Sequence, residues 1–263
     1  MILEARSVSK WYPHYAGALR RRVGTIRAVD GVSCALGPGE TLGLVGESGC
    51  GKTTLAKLLI GLLTPSQGEA LVKGRAFSQL RGHERLAARR AVQYVFQNPM
   101  NSLNPRLTVE DTLSEPLAIH GLAPRGARLA RVRQLLASVQ LPAAYASRLP
   151  RELSGGERQR IGIARALATE PDALICDEPI ASLDVSIGAQ ILALLRQLAA
   201  ERRMAILFIS HDLRAVASLC ERIAVMRAGR LIEAGPTDQL LSQPRHPYTA
   251  LLIRSADLDL DAA

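Results

Sequence analysis

Gly46-Glu47-Ser48-Gly49-Cys50-Gly51-Lys52-Thr53-Thr54 follows directly on the apolar run Thr41-Leu42-Gly43-Leu44-Val45 and precedes an apolar-periodic run over residues 55–63. Strand, glycine-rich loop, helix is the order a phosphate-binding loop requires. Glycines let the backbone curl until successive N–H groups face inward as an anion nest. The helix that follows brings the positive end of its dipole to the same point. Lys52 is placed to reach terminal phosphates as a point charge, and the Thr53 hydroxyl to ligate Mg²⁺. The bland reading is a glycine-rich turn that fits the pattern by chance. A strand before it and a helix after it, both in register, favour nucleotide binding.

The sequence holds 263 residues, enough for one large α/β domain or two small ones. Aromatics make up only 3%, which argues against a base-stacking platform for single-stranded nucleic acid. A net charge of +9 admits nucleic acid, an anionic membrane surface or phosphate ligands. The arginines lie in short clusters (Arg20-Arg21-Arg22, Arg81 with Arg85, Arg89-Arg90, then Arg125, Arg128, Arg131 and Arg133). They read first as solvated faces and second as a membrane-proximal face. Cys34, Cys50, Cys176 and Cys220 have neither paired spacing nor a CxxC, which fits a reduced cytosolic compartment. Residues 1–5 do not open a signal peptide, and no apolar run approaches the ~18 residues of a membrane span. A chain soluble by itself is expected.

Residues 3–8 predict a strand, with Ser9-Lys10-Trp11-Tyr12-Pro13 as its exit. An aromatic there either stacks on an adenine or caps the sheet edge, and both readings stand. Residues 20–27 read as a basic hairpin tip or loop, residues 28–36 as a strand, and Gly37-Pro38-Gly39-Glu40 as a turn. A short strand over 70–74, a helix over 81–90 and a strand over 91–96 follow. That last strand ends at Gln97, beside the phosphates if ligands lie beyond the carboxyl ends of parallel strands. Between 108 and 149 the apolar spacing turns helical (Val109, Leu113, Leu117, then Leu129, Val132, Leu136), broken by Pro116, Pro124 and Pro142. This predicts a helical subdomain inserted in an α/β core.

Leu153-Ser154-Gly155-Gly156-Glu157-Arg158-Gln159-Arg160 opens a helix running to about residue 167. Ser154 suits an N-cap, and the two glycines leave the helix start bare for an anion. A second anion site so far along the chain makes sense if it caps a phosphate held by another subunit. Ala173-Leu174-Ile175-Cys176 then runs into Asp177-Glu178-Pro179. Asp177 is the expected Mg²⁺ partner of the phosphate loop and Glu178 the general base for the attacking water. Two adjacent acids are costly to bury, so a purely structural role is disfavoured. Ser182-Leu183-Asp184 turns into a helix, and residues 205–209 predict the last core strand, exiting at Ser210-His211-Asp212. A lone histidine is usually a satisfied residue. At a strand exit of the same sheet, His211 is read instead as a γ-phosphate contact.

These motifs, in this order and spacing over residues 2–235, resemble the ATP-binding subunit of an ABC transporter. The resemblance implies an α/β fold: a P-loop ABC ATPase core with a mixed sheet flanked by helices, an N-terminal antiparallel β part and a helical subdomain at about 98–157. Residues 236–263 are a C-terminal extension. It implies ATP and Mg²⁺ as cofactors. Tyr12 becomes the adenine-stacking aromatic, and Gly46, Glu47, Ser48, Gly49, Cys50, Gly51, Lys52, Thr53 and Thr54 hold the phosphates. Thr53, Gln97 and Asp177 serve the metal directly or through water, Glu178 is the base and His211 senses the γ-phosphate. Ser154, Gly155, Gly156 and Glu157 close on ATP bound to the opposite subunit, with Asp184 at the dimer seam.

Phe96-Gln97-Asn98-Pro99-Met100-Asn101-Ser102-Leu103-Asn104-Pro105-Arg106 and His246-Pro247-Tyr248-Thr249-Ala250-Leu251-Leu252 are similar to stretches of peptide/nickel-type importers. That likeness implies a second, non-identical ATPase, two transmembrane permease subunits, an extracytoplasmic substrate-binding protein and no nucleic-acid partner. It places the chain at the cytoplasmic face of the cell membrane, with peptide, nickel or a metal chelate as cargo. Ile180 departs from the usual Thr and Glu157 from the commoner Gln, and neither removes a catalytic group. Clustered cysteines carried by some members after the His-Pro-Tyr-Thr stretch are missing, so no iron–sulfur cluster is expected and the second-subunit role is favoured. The rivals are a soluble ABC-core ATPase of DNA repair or translation, and an exporter ATPase. One phosphate loop and no sustained heptads speak against the first, the importer-like ending against the second.

Overall fold

Hydrophobic patterning divides the strands between two sheets. The computed structural model describes residues 1–16, 21–97 and 103–256. Arg20 and the Asn98-Pro99-Met100-Asn101-Ser102 part of the importer-like stretch lie outside those residues. β1 (Leu3–Ala16), β2 (Arg21–Leu36), β4 (Gln67–Val72) and β5 (Arg75–Ala76) form an antiparallel sheet in the order β2-β1-β4-β5. The second sheet holds β3 (Thr41–Val45), β6 (Val92–Val95), β7 (Ala173–Asp177), β8 (Ala205–Ile209), β9 (Arg222–Arg227) and β10 (Arg230–Pro236), in the order β10-β9-β3-β8-β7-β6. Its pairs are parallel except β10 with β9. β3, β7 and β8 are buried at every residue, as near-continuous apolar runs in a parallel sheet covered on both faces should be.

Side chains alternate across that sheet and feed two cores. Ala173, Ile175, Leu207 and Ile209 face helix α1 (Lys52–Leu59) and the antiparallel sheet. Leu174, Cys176, Ile206 and Phe208 face the opposite side, toward α5 (Gly155–Leu167) and α6 (Val185–Arg202). α2 (Gly82–Ala91) precedes β6. α3 (Val109–Ile119) and α4 (Arg128–Ser138) bury Val109, Leu113, Leu117, Val132, Leu135 and Leu136 against α5, the helical insertion the spacing predicts. α3 starts at a capping box, in which Thr108 accepts from the Asp111 N–H and Asp111 accepts from the Thr108 N–H. α7 (Leu213–Leu219), α8 (Thr237–Ser242) and α9 (Pro247–Ser255) complete the described chain.

Three expectations change. Ser9-Lys10-Trp11-Tyr12-Pro13 is not a strand exit, because Lys10, Trp11, Tyr12 and Pro13 pair with Val29, Arg27, Ile26 and Thr25 of β2. β4 leaves β1 at Ser9, so the hairpin continues as a two-stranded ribbon with open edges, where a proline is tolerated. Arg21 to Arg27, expected as a hairpin tip or loop, form the start of β2, the returning arm of the β1–β2 hairpin. Residues 205–209 are not the last core strand, since β9 pairs in parallel on the other side of β3.

Candidate nucleotide site

Two glycines of the loop after β3 admit no side chain. Gly46 has φ +151°, and a Cβ there would lie 2.1 Å from the Met226 carbonyl oxygen. Gly51 has φ +110°, and its Cβ would lie 2.1 Å from the Ala28 carbonyl oxygen. The loop is thus clamped between β2 and the end of β9, and the Gly229 N–H adds a bond to the Cys50 carbonyl at 2.9 Å. Lys52 is only 5% exposed, and its Nζ donates to the carbonyls of Gly46 at 2.7 Å and Glu47 at 2.9 Å. Its charge therefore sits inside the loop. Gly51 caps α1 with no side chain, so the first N–H groups of that helix stay open toward an anion. Thr53 and Thr54 lie in the first turn, half-buried, while Glu47, Ser48 and Gly49 are exposed at the mouth.

The neighbouring strands of the parallel sheet deliver their ends to the same edge. β3 gives the loop, β8 His211, β7 Asp177 and Glu178, and β6 Gln97. Asp177 is 3% exposed and accepts the Tyr94 hydroxyl at 2.6 Å on Oδ2, while Oδ1 is buried with no hydrogen-bond partner. Burial first, then the bond to Asp177, pushes the Tyr94 phenol far above its ordinary range, so it remains a proton donor. Glu178 adopts φ +46°, a left-handed conformation uncommon for a side chain of this size, and its N–H is anchored to the Ile209 carbonyl at 2.8 Å. The turn swings its carboxylate between two neighbours: Gln97 Nε2 donates to Oε2 at 2.8 Å, and His211 Nδ1 lies 3.4 Å from Oε1. Gln97, Glu178 and His211, expected separately at three strand ends, form one cluster.

Ser154 caps α5, accepting from the Glu157 N–H at 3.3 Å. Gly156 is buried because α6 crosses there, and a Cβ on it would approach Ile187 Cγ2 to 2.5 Å. Glu157, expected beside the opposite subunit's nucleotide, is also part of the cap. Its oxygens accept from the Tyr145 hydroxyl and the Ser154 N–H, both at 2.6 Å, so the carboxylate completes the cap. The Tyr145 bond foremost holds its carboxyl below the usual range. Asp184 stands exposed at the start of α6 and makes no cap bond there. Tyr12, with the Lys10 ammonium 5.5 Å from its ring centroid, pairs with Ile26, two residues from the Ala28 carbonyl that meets Gly51. Tyr94 was missed. It lies two residues before Phe96 on a predicted strand, and only knowing that β6 neighbours β7 brings it to Asp177.

The model for the ABC transporter family matches residues 29–181, more than half of the chain. The model described as oligopeptide/dipeptide transporter, C-terminal region, matches residues 232–258. The oligopeptide transport ATP-binding protein AppF of Bacillus subtilis (strain 168) is 46% identical over 255 residues, 97% of this chain and 78% of the relative. The probable peptide ABC transporter ATP-binding protein y4tS of Sinorhizobium fredii is 48% identical over 255 residues, 97% of this chain and 72% of the relative. A solved dimeric ATP-binding cassette in a post-hydrolysis state with ADP and Pi superposes with a TM-score of 0.78 at 28% identity, over 89% of this chain and 98% of that one. The loop, the acids, the Ser154-capped start of α5 and these relatives agree, and the chain belongs to the ABC transporter family as an ATP-binding, ATP-hydrolysing subunit.

Proposed function

We propose that this subunit powers the import of peptides, paired with a second, non-identical ATPase on two membrane permeases fed by an extracytoplasmic binding protein. The observation that carries the catalytic part is the Glu178 carboxylate, held between Gln97 and His211 at the edge that also bears Lys52. In this reading Tyr12 stacks on the adenine, and the loop from Gly46 to Thr54 binds the phosphates. Glu178 accepts a proton as water oxygen bonds to the γ-phosphorus and the bond to the β-phosphate bridging oxygen breaks. His211 contacts the γ-phosphate, and Lys52 neutralises the charge that develops. Ser154, Gly155, Gly156 and Glu157 close on nucleotide held by the other ATPase, with Asp184 at the seam. The cargo rests on the named relatives, one an oligopeptide transport ATP-binding protein and the other a probable peptide ABC transporter ATP-binding protein. The same C-terminal match weighs against a soluble ABC-core ATPase or an exporter.

Mg²⁺ fits this site. Among the described residues no three or more His, Cys, Asp or Glu gather as a metal cage. Asp177 with Thr53 and Gln97 is instead a sparse oxygen set of the kind Mg²⁺ completes with phosphates and water, and the unpartnered buried Oδ1 is an acceptor without a donor. Bound there, Mg²⁺ would neutralise phosphate charge. Tyr94 fixes the other oxygen, so Tyr94→Phe is expected to raise the half-saturating Mg²⁺ concentration about tenfold, as removing a metal ligand's supporting hydrogen bond does. Metal titration of ATP turnover, with binding of Mn²⁺–nucleotide read by paramagnetic resonance, checks this. An unchanged metal requirement would sink the assignment of Tyr94.

No helix among the described residues is long and apolar enough to cross a membrane, and the proposed place is the cytoplasmic face of the cell membrane, on the permeases. A groove of about 410 Å³ between the parallel-sheet core and α3 includes Leu62, Phe96, Ile119 and Tyr94. Its side chains Leu62, Phe96 and Ile119 are 53, 42 and 61% exposed, an apolar patch that suits a short permease helix. The patch adjoins Gln97, so docking is felt one residue from the base. The experiment is a pull-down from membranes of the producing cell with MgATP. The tagged chain is expected to bring down a different ATPase and two membrane proteins. Ile119→Glu should lose the permeases, leaving ATP binding by the free subunit within about twofold, since surface changes away from a site are nearly neutral. Recovery of only this chain or nucleic acid would favour the soluble rival.

A further inference from the structure

The His-Pro-Tyr-Thr stretch has no part in the nucleotide chemistry above, yet it reaches the phosphate loop. His246 caps α9, its Nδ1 accepting from the Tyr248 N–H at 3.1 Å. Glu233 of β10 fixes the entry, its two oxygens accepting from the N–H groups of Arg245 at 2.8 Å and His246 at 3.0 Å. That places Tyr248 inward, 3% exposed, with its hydroxyl accepting from the Glu47 N–H of the loop at 3.1 Å, across 201 positions of sequence. The Arg227 guanidinium lies 4.6 Å from the centre of the Tyr248 ring, next in sequence to Met226, whose carbonyl closes on Gly46. At its other end α9 is tied to the segment after His211, where Arg214 Nε donates to the Ala256 carbonyl at 2.7 Å. Between these two attachments α9 roofs a cleft of about 320 Å³ lined by Val45, Gly46, His211, Arg214, Leu252 and Ser255.

We propose that α9 is a working part of the nucleotide site, with Tyr248 a positioning residue that fixes the Glu47 peptide and links the phosphate loop to the His211 segment. A nest binds an anion well only if its N–H groups are already turned inward. The Tyr248 hydroxyl holds the peptide at the loop mouth, where no other described element fixes the Glu47 N–H. Burial foremost raises its phenol above the usual range, and the hydroxyl meets the Glu47 N–H as a neutral group. Linkage then requires the converse: nucleotide in the loop must stabilise the docked extension by the same factor. Whatever engages the C-terminal extension therefore acts on nucleotide affinity. This inference rests on nucleotide binding at the loop and is independent of the cargo.

Tyr248→Phe tests it in the full chain, because the ring and its arginine contact are kept and only the hydroxyl is lost. Titration with a fluorescent ATP analogue is expected to show affinity about fivefold to tenfold weaker, the effect of one buried hydrogen bond. Hydrogen exchange in α9 is expected to slow when nucleotide binds the wild type, and this response is expected to vanish in Tyr248→Phe. A melting temperature that falls while analogue affinity stays at the wild-type value would assign Tyr248 a merely structural role and overturn the proposal. Exchange in α9 of the wild type that ignores nucleotide would overturn it as well. A wild-type chain that failed to bind the analogue would reject the nucleotide site itself, an outcome distinct from both.

Discussion

Glu178→Gln is expected to lower ATP turnover by about 10²- to 10⁴-fold, the usual contribution of a positioned general base, while nucleotide binding survives. The substitution changes little else. Gln is isosteric, and its side-chain oxygen still accepts from Gln97 Nε2, which lies 2.8 Å from Glu178 Oε2. The strained φ of +46° and the N–H bond to Ile209 belong to the backbone and persist. What disappears is the proton acceptor. With closure intact and hydrolysis blocked, the assembled variant should retain ATP in a closed pair, readable as nucleotide retained on a filter and as lost phosphate release. Turnover within about threefold of wild type, in the assembled complex, is too small a loss for a general base and would move that role elsewhere.

The parts of this site that sequence reveals are those carried by strand ends. A run such as Ala173-Leu174-Ile175-Cys176 announces a fully buried parallel strand, and whatever follows it must lie at the ligand edge. That logic placed the loop, Asp177, Glu178, His211 and Gln97 on one edge before any pairing was known. It could not place Gln97 against Glu178, because that contact depends on β6 lying beside β7, and strand order is a long-range property of packing. β9 escaped for a local reason: its buried run Ile223-Ala224-Val225-Met226 is four residues long and flanked by Arg222 and Arg227, too short to stand out. Pro13 misled in the opposite sense, as a breaker that in fact sits on an open-edged ribbon. Glu157 is read from motif position alone, and its bond from the Tyr145 hydroxyl could not be foreseen because that residue comes from a separate turn.

Lys52→Ala is expected to weaken ATP affinity about 100-fold, one or two hydrogen bonds to charged groups each being worth ~1.5–3 kcal/mol, and to bring turnover to background. The geometry explains why so much depends on one side chain. Nζ lies 2.7 Å from the Gly46 carbonyl and 2.9 Å from the Glu47 carbonyl, and the residue is 5% exposed. The same ammonium that cross-braces the loop is thus held where phosphate charge would arrive, shielded from the water that would screen it. Alanine removes both functions, leaving two carbonyl dipoles whose negative ends face an incoming anion. Lys52→Arg separates the two. It restores the charge, but a planar fork differs in shape from a compact ammonium and does not fit between two carbonyls that close around Nζ. Failure of arginine to rescue affinity would tie the effect to placement as well as charge. Calorimetric titration of both variants with ATP decides the matter, and unchanged affinity in Lys52→Ala would reject the phosphate-binding role of Lys52. Turnover lost with affinity intact would instead confine Lys52 to the transition state, where charge on the departing phosphate is greatest.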